Sequence, residues 1–543
     1  MKKTTAQIIN QYYNNIKRTL YFPLGLYRYY KEQKLTENQN AFIQILATFK
    51  STVPKEKEDG ILLIQMVENY EYTLKFAAAA KVISEKHNLS TSFYDLRWTK
   101  WIGWKRNYES VFKFFNNTTG LEQIHFSFGE KIIFRNEEKF YDQDRIKNEL
   151  TKISQALKNP EDLLYIKFES VLVGDLIYDS YLRYFHKPTI EQLNKNVIKI
   201  IEIGLNIYYN FNYFLKNNKV KCLLNTYSSY LGHGIPARVC LEKGVCVYTI
   251  GSGSYILQKL TKDFPYHFIN HTSFSPDKIL SRDQIDLAKE TLTSRFDGKI
   301  DAATNYMKQS AYFKGNVNPG LIEKFRLKKR NLVIYVHDFY DSPHLDRLLQ
   351  FADLYQYLKQ TLEAVKDIKD TSVFIKTHPN GIEGCKEKTI ELVTSFNKDH
   401  FYILDETVSN LNVIELKPTL IATARGTVGI EMAYFGIPTV ALYDNFYVNF
   451  KFAHSCTDKE TYFSILRGEK EPEIDFDKEK IYSLYYQAFL EKICNDNNSI
   501  FTLLNSFKGN TYSEEYLAFL TSDQNIPKLK TLLEHYCSAL NKT

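Results

Sequence analysis

The stretch from Leu420 to Leu442 limits what this chain can fold into more than any other. Leu420 and Ile421 end an apolar run, and Arg425-Gly426-Thr427 makes a tight turn. Val428, Ile430, Met432 and Ala433 then recur at the spacing of one helix face, Gly436 stops the helix, and Pro438 opens the apolar run Thr439 to Leu442. The pattern is strand, turn, helix, strand. A helix that starts straight after such a turn points free backbone N–H groups and its positive dipole end into the crevice at the strand ends. That is a place for a phosphate. Thr427 is expected to cap the helix and to hydrogen-bond an anion, and Arg425 to add a charged fork. Upstream, the apolar run Val373-Phe374-Ile375 leads directly into Lys376-Thr377-His378-Pro379-Asn380.

A similar unit opens the chain's body. Ile61 to Val67 reads as a buried strand, Glu68 to Tyr72 as a loop, Leu74 to Ser84 as a helix and Thr91 to Leu96 as a strand. This βαβ start predicts a parallel, doubly wound sheet. Glu68 then sits at the carboxyl end of the first strand, facing the crevice. Further on, Ile132 to Phe134 reads as a short edge element and residues 136–158 as a charged helix. Residues 190–216 make an apolar-periodic helix, Lys221 to Thr226 a strand, and Tyr227 to His233 a polar loop. Gly234 to Gly244 is a helix and Val245 to Ile250 a strand, followed by the turn Gly251-Ser252-Gly253-Ser254. His233, in its loop, is placed to touch substrate. Asn331 to Val336 begins a second domain, and its strand runs at once into His337-Asp338-Phe339-Tyr340-Asp341-Ser342-Pro343-His344. Four ionisable groups on one strand-end loop suit contact with a substrate better than a metal, because no helical register fixes them as ligands.

Two other clusters have two readings each. Asp175, Asp179 and Arg183 share a helix face at i, i+4 and i+8. They are either a self-paired surface face or a carboxylate held near a reacting hydroxyl. Trp98, Trp101 and Trp104, with Arg97, Lys100, Lys105 and Arg106 around them, form either a packed docking face or a surface for membrane interfaces or sugar stacking.

Composition narrows the classes. The 543 residues suffice for two or three domains, and 44% hydrophobic content is that of an ordinary globular protein. A net charge of +7, with both signs well mixed, is too mild for nucleic acid but suits an anionic substrate or anionic lipid headgroups. No run approaches the roughly 18 apolar residues of a membrane span. The basic N-terminus lacks the apolar centre of a signal peptide. Seven cysteines without a CxxC pair give neither a disulfide framework nor a zinc site. The expected compartment is the cytoplasm, with peripheral contact at the cytoplasmic face of the inner membrane also compatible.

At Lys376-Thr377-His378-Pro379-Asn380, Arg425 to Glu431 and Gly436-Ile437-Pro438 the chain resembles bacterial capsule and surface-polysaccharide glycosyltransferases of the GT-B architecture. The stretches Gly174 to Asp179 and His337 to His344 resemble theirs too, and the likeness spans roughly residues 60–460. The resemblance implies an α/β protein of two facing Rossmann-like domains. They divide as a helical extension at 1–58, an acceptor domain at 59–325, a nucleotide-sugar domain at 326–470, and helices at 471–543 that pack back on the body. The His-Pro pair resembles that of transferases using CMP-activated sialic acid, Kdo or other nonulosonic acids. It implies His378, with Pro379 and Lys376, at the donor phosphate beside Arg425, Gly426 and Thr427. Glu431 is then implied at the ribose hydroxyls, and Asp405 in the loop beside the base. Where sialyltransferases have adjacent serines, this chain has Arg425-Gly426-Thr427.

The implied reaction moves a sugar from a nucleotide-sugar, with CMP-sugar favoured, to a polysaccharide or lipid-linked glycan. No cofactor and no metal is expected. The proton acceptor is expected to be Asp175 first, Glu68 second, and Asp338 or Asp341 third. His337, His344, Tyr178 and His233 are expected to contact acceptor or sugar. Three other functions keep the fold: a nucleotide-sugar epimerase, a polyol-phosphate transferase, and a non-catalytic glycan-binding assembly protein.

Overall fold

The computed structural model describes residues 35–96, 120–135, 142–250, 257–267, 273–300, 310–345 except 314 and 316, 349–378, 381–442 except 405, 445–491, and 503–540 except 505 and 508. The expected helix before residue 35, the three tryptophans, the Gly251 to Ser254 turn, Pro379, Asn380 and Asp405 lie outside these residues.

The first half runs α1 (Glu37–Ala47), β1 (Gly60–Gln65), α2 (Tyr70–His87), β2 (Leu89–Asp95), α3 (Gly120–Phe126), β3 (Ile132–Arg135) and α4 (Gln143–Ala156). A small hairpin follows, β4 (Lys167–Phe168) and β5 (Val171–Leu172), and then α5 (Gly174–Phe185), α6 (Lys195–Asn217), β6 (Val220–Asn225), α7 (Tyr230–Glu242), β7 (Cys246–Thr249) and β8 (Gln258–Leu260). Its main sheet has the order β3-β2-β1-β6-β7-β8, and every pair is parallel except β7–β8.

After α8 (Arg282–Phe296) and α9 (Pro319–Arg326), the second half runs β9 (Arg330–Tyr335), α10 (Leu354–Val365), β10 (Thr371–Lys376), α11 (Cys385–Ser395) and β11 (Phe401–Leu404). It continues with α12 (Asn410–Leu416), β12 (Leu420–Thr423), α13 (Val428–Tyr434), β13 (Thr439–Leu442), β14 (His454–Cys456) and α14 (Lys459–Arg467). Its sheet is wholly parallel, in the order β11-β10-β9-β12-β13-β14. The chain closes with α15 (Lys478–Tyr485), α16 (Glu514–Leu520) and α17 (Asn525–Leu540). The expected pair of Rossmann-like domains is therefore what the chain adopts.

Helices cover both faces of each sheet, so central strands are apolar throughout rather than alternating. Leu62-Leu63-Ile64, Leu332-Val333-Ile334 and Val373-Phe374-Ile375 are all fully buried. Each such side chain contributes about 1.5–3 kcal/mol on leaving water. In each sheet the strand order reverses once, between β1 and β6 and between β9 and β12. Ligands of open α/β sheets bind at the carboxyl ends of such strands.

Two packing features join parts of the chain that lie far apart in sequence. Ala288, Leu292 and Phe296 of α8 share a cluster with Ile430 and Ala433 of α13 and with Ile481 and Leu484 of α15, so this helix belongs to the second half's core. Leu517, Leu520, Leu529 and Leu533 of α16 and α17 pack with Phe42, Leu46, Leu74 and Phe76 of the first half. No helix among the described residues is long and apolar enough to cross a membrane.

Candidate active site

The second half's crevice is built at the carboxyl ends of β9, β10 and β12. His337 follows β9, His378 follows β10, and the turn 425–427 follows β12. Since β9 lies between the other two strands, His337 sits between His378 and the turn. At ~4.8 Å per strand, the outer two groups are about 10 Å apart. The His337 Nε2 lies 3.4 Å from the backbone N–H of Arg425 and 3.0 Å from Thr423 Oγ1, so one hydrogen-bond system spans the point of reversal. The N–H can only donate, so Nε2 accepts and the ring proton belongs on Nδ1. Burial first, and then Arg425 and His378, push the His337 imidazole down to about 3, so it is neutral. Burial also lowers His378, with Asp338 acting against it and Lys376 with it.

The turn is held from three sides. The Gly426 N–H donates to Thr423 Oγ1 at 3.2 Å, and the Tyr447 hydroxyl donates to the Gly426 carbonyl at 3.3 Å. Arg425 Nη2 donates to the Pro343 carbonyl at 2.7 Å, tying the turn to the loop after β9. A Cβ at Gly426 would stand 3.2 Å from Thr423 Oγ1 and 3.3 Å from His337 Cε1, so a side chain there would press on both. Arg425, Gly426 and Thr427 are half-buried, whereas Lys376 is buried at the end of β10.

Several expected roles are corrected here. Thr427 begins α13 but makes no side-chain cap, since its hydroxyl donates to Glu431 Oε1 at 2.9 Å instead. Glu431, expected at a ribose, is buried beneath the turn. Oε1 also pairs with Arg295 Nη2 at 2.6 Å, while Oε2 accepts from Tyr312 at 2.5 Å and from Asn410 at 3.2 Å. With four donors on it, the carboxylate anchors the turn from inside. Arg295 Nη2 is also 3.1 Å from Thr427 Oγ1. Sequence reasoning missed Arg295 because it arrives on α8, outside every motif.

The four ionisable groups of the loop after β9 separate. Asp338 accepts from the backbone N–H groups of Tyr340, at 2.8 Å, and Ile382, and so fixes the chain just after His378. Asp341 accepts from Tyr230 in the first half at 2.8 Å. His344 is buried, with Nδ1 2.6 Å from Asp179 Oδ1, and its backbone N–H donates to Asp179 Oδ2 at 3.2 Å. Tyr178 is fully buried and donates to Asp353 Oδ2 at 2.6 Å, while the other oxygen of Asp353 caps α10 through the Gln356 N–H. His344 and Tyr178 thus join the two halves and do not face open crevice. Among the described residues no group of three or more His, Cys, Asp and Glu could hold a metal.

Asp175 is corrected as well. It is buried and its two oxygens are gripped by the two terminal nitrogens of Arg238, at 2.6 and 2.5 Å, and Arg238 also donates to the Leu172 carbonyl. Arg183 is exposed, so the expected face does not pair with itself: a step of four residues drifts around the helix, and eight carry Arg183 out to solvent. Glu68, by contrast, is exposed in the loop between β1 and α2.

In the first half, His233 lies in the opening turn of α7 rather than in a loop. The helix begins at Tyr230, four residues before the expected start at Gly234, and a Cβ at Gly234 would stand 2.4 Å from a Leu176 methyl and 2.6 Å from the Ser228 carbonyl. That glycine lets α7 approach α5.

No family model matches the chain, and no curated protein matches it. Solved structures that it resembles include the beta Kdo 2,4 transferase of Thermosulfurimonas dismutans KpsC, at 13% identity over 49% of this chain and 79% of that one, with a TM-score of 0.30. Others are the UDP-GlcNAc 2-epimerase of Methanocaldococcus jannaschii, at 11% over 77% and 97% with a TM-score of 0.24, and MurG of Acinetobacter baumannii, at 11% over 79% and 95% with a TM-score of 0.24. All three likenesses are distant.

Proposed function

We propose that the chain is a glycosyltransferase that moves a sugar from a nucleotide-sugar, with a CMP-activated acidic sugar favoured, to a glycan acceptor. The observation that carries this reading is the second sheet's point of reversal, where His337 bonds to Thr423 and the Arg425-Gly426-Thr427 turn and His378 follows the adjacent strand. Glycosyl transfer builds negative charge on the leaving phosphate. A site that stabilises this charge needs fixed donors, each worth about 3–4 kcal/mol when water is excluded. With the Arg425 and Gly426 N–H groups already engaged, the backbone donors left for a phosphate are those of Thr427 and Val428 at the start of α13, with Arg425 adding a permanent cation and His378 an imidazole whose proton affinity rises as a phosphate arrives. Arg295 adds a buried cation behind Thr427.

The acceptor hydroxyl must lose a proton. Asp175 is bound on both oxygens by Arg238, so this step falls to Glu68, the exposed carboxylate at the carboxyl end of β1. A thermal-shift panel of CMP, CDP, UDP and GDP tests the donor assignment, because a ligand that binds only the folded state raises its melting temperature. CMP is expected to raise it in the native chain and not in His378→Ala. A response to UDP alone redirects the donor, and no response to any nucleotide removes the reading.

A further inference from the structure

The first sheet has its own occupied reversal point, and the motifs do not account for it. Gln65 ends β1, and its Oε1 accepts from both the backbone N–H and the hydroxyl of Thr226, just beyond β6, at 3.1 and 3.0 Å. The backbone N–H can only donate, so the orientation of the Gln65 amide is fixed and its NH2 points the other way. There it lies 2.6 Å from His233 Nδ1. An NH2 group only donates, so His233 Nδ1 accepts and the ring proton sits on Nε2.

His267 repeats the arrangement. Its Nδ1 lies 3.1 Å from the backbone N–H of Ser228, again an obligate donor, while its own backbone N–H donates to Ser228 Oγ at 2.8 Å. The proton of this ring is therefore also on Nε2. The Tyr227 ring stands edge-to-face with both imidazoles, at 5.7 and 5.1 Å between centroids, and its hydroxyl is 2.6 Å from that of Tyr72. Both histidines are half-buried, and the described residues give neither Nε2 a hydrogen-bond partner. Burial holds His233 down at about 4 and, with His233 beside it, His267 at about 3.

We propose that the paired Nε2–H groups of His233 and His267 form a neutral, donor-only subsite for a sugar carboxylate at the first half's reversal point. The chemistry of the ligand follows from that of the pair. A hydroxyl oxygen can also accept from both but brings a proton that needs a partner elsewhere, whereas a carboxylate oxygen is acceptor-only and forms the stronger, charge-assisted bonds to both. The same locking excludes the pair from acting as the base, because the proton-accepting nitrogen of each ring is already engaged. The assignment of the carboxylate to a glycan substrate rests on the glycosyltransferase reading. The subsite itself does not, and it is measured without any nucleotide, so its failure leaves the donor site standing and the reverse also holds.

Calorimetric titration of the full chain with methyl β-D-glucuronide, with Kdo and with neutral methyl β-D-glucoside tests it. A carboxylate sugar is expected to bind at least tenfold more tightly than the glucoside, with an affinity that changes less than threefold between pH 5.5 and 8. Preference for Kdo assigns the carboxylate to the transferred sugar, and preference for glucuronide to the acceptor. His233→Gln and His267→Gln, which keep an N–H near the Nε2 position, are expected to stay within a few-fold of the native chain. Phe at either position is expected to lose tenfold or more. The idea fails if neither acid binds, if the glucoside binds equally, or if affinity drops tenfold as pH rises past 6.5, which would mark an imidazolium. It fails equally if a Phe variant with native circular dichroism keeps full affinity; where Phe does not fold, the pH series on the native chain decides.

Discussion

The candidate donor crevice works through side chains whose partners fix their chemistry. Glu431 is the clearest case. It accepts from Arg295, Thr427, Tyr312 and Asn410, and removing it leaves the Arg295 guanidinium buried without its carboxylate. Glu431→Ala is expected to cost about 3–5 kcal/mol in urea unfolding, the range for breaking one side of a buried ion pair. A loss under 1 kcal/mol would mean that the carboxylate is free to serve a ribose after all. The loop after β9 makes a related point. Its four ionisable groups are close in sequence, yet each reaches a different element, so closeness along the chain overstated their closeness in function.

At the scale of elements, α13 has to lie hard against the segment that follows β13. A Cβ at Gly429 would stand 2.4 Å from the Tyr447 ring and hydroxyl, and Tyr447 in turn donates to the Gly426 carbonyl. Gly429→Ala is therefore expected to cost about 1–3 kcal/mol through overpacking. Because the displaced tyrosine holds the Arg425-Gly426-Thr427 turn, the variant is also expected, on the proposed donor role of that turn, to lose nucleotide-dependent thermal stabilisation. Retention of both properties would show that the turn does not depend on this contact. Gly174 is tighter still, with the Leu163 carbonyl 2.1 Å from an added Cβ. Since that neighbour is backbone, Gly174→Ala is expected to unfold a larger part of the first half than Gly429→Ala does of the second, as hydrogen exchange at α5 would report.

Across the whole molecule, the buried histidines respond to pH in opposite directions, and one of them, His344, joins the two halves through Asp179. His344 is raised above its ordinary 6.5: burial works against the charged ring, but Asp179 outweighs it. A raised histidine contributes stability that is fully present below 6.5 and is lost as pH climbs through its folded value. The melting temperature of the native chain should therefore exceed that of His344→Asn most at pH 6 and converge toward it in the alkaline range. His233, His267 and His337 are depressed to about 4, 3 and 3 by burial, so each takes up a proton more readily in the unfolded chain. Their contribution is present above pH 6.5 and declines as pH falls toward 3–4. Acid melting of the native chain against His267→Gln should show the variant losing less stability over that window.

The local pattern of the sequence was enough to determine the two parallel sheets, most strand positions and the strand–turn–helix unit at 420–442. Apolar runs, Gly436 and Pro438 act through neighbours a few residues away, and periodicity reads such effects directly. It also located His378 and the Arg425-Gly426-Thr427 turn, since ligand crevices lie at strand ends. Only the tertiary structure decided what the charged side chains do there. Asp175 meets Arg238, Glu431 meets Arg295, and His267 meets Ser228 across long sequence separations, and whether a carboxylate or imidazole is reactive or locked depends on the partner that burial brings to it. The glycines make the same division. Periodicity places Gly234 at the start of a helix, and only the approach of Leu176 reveals that the residue there has to be a glycine for packing.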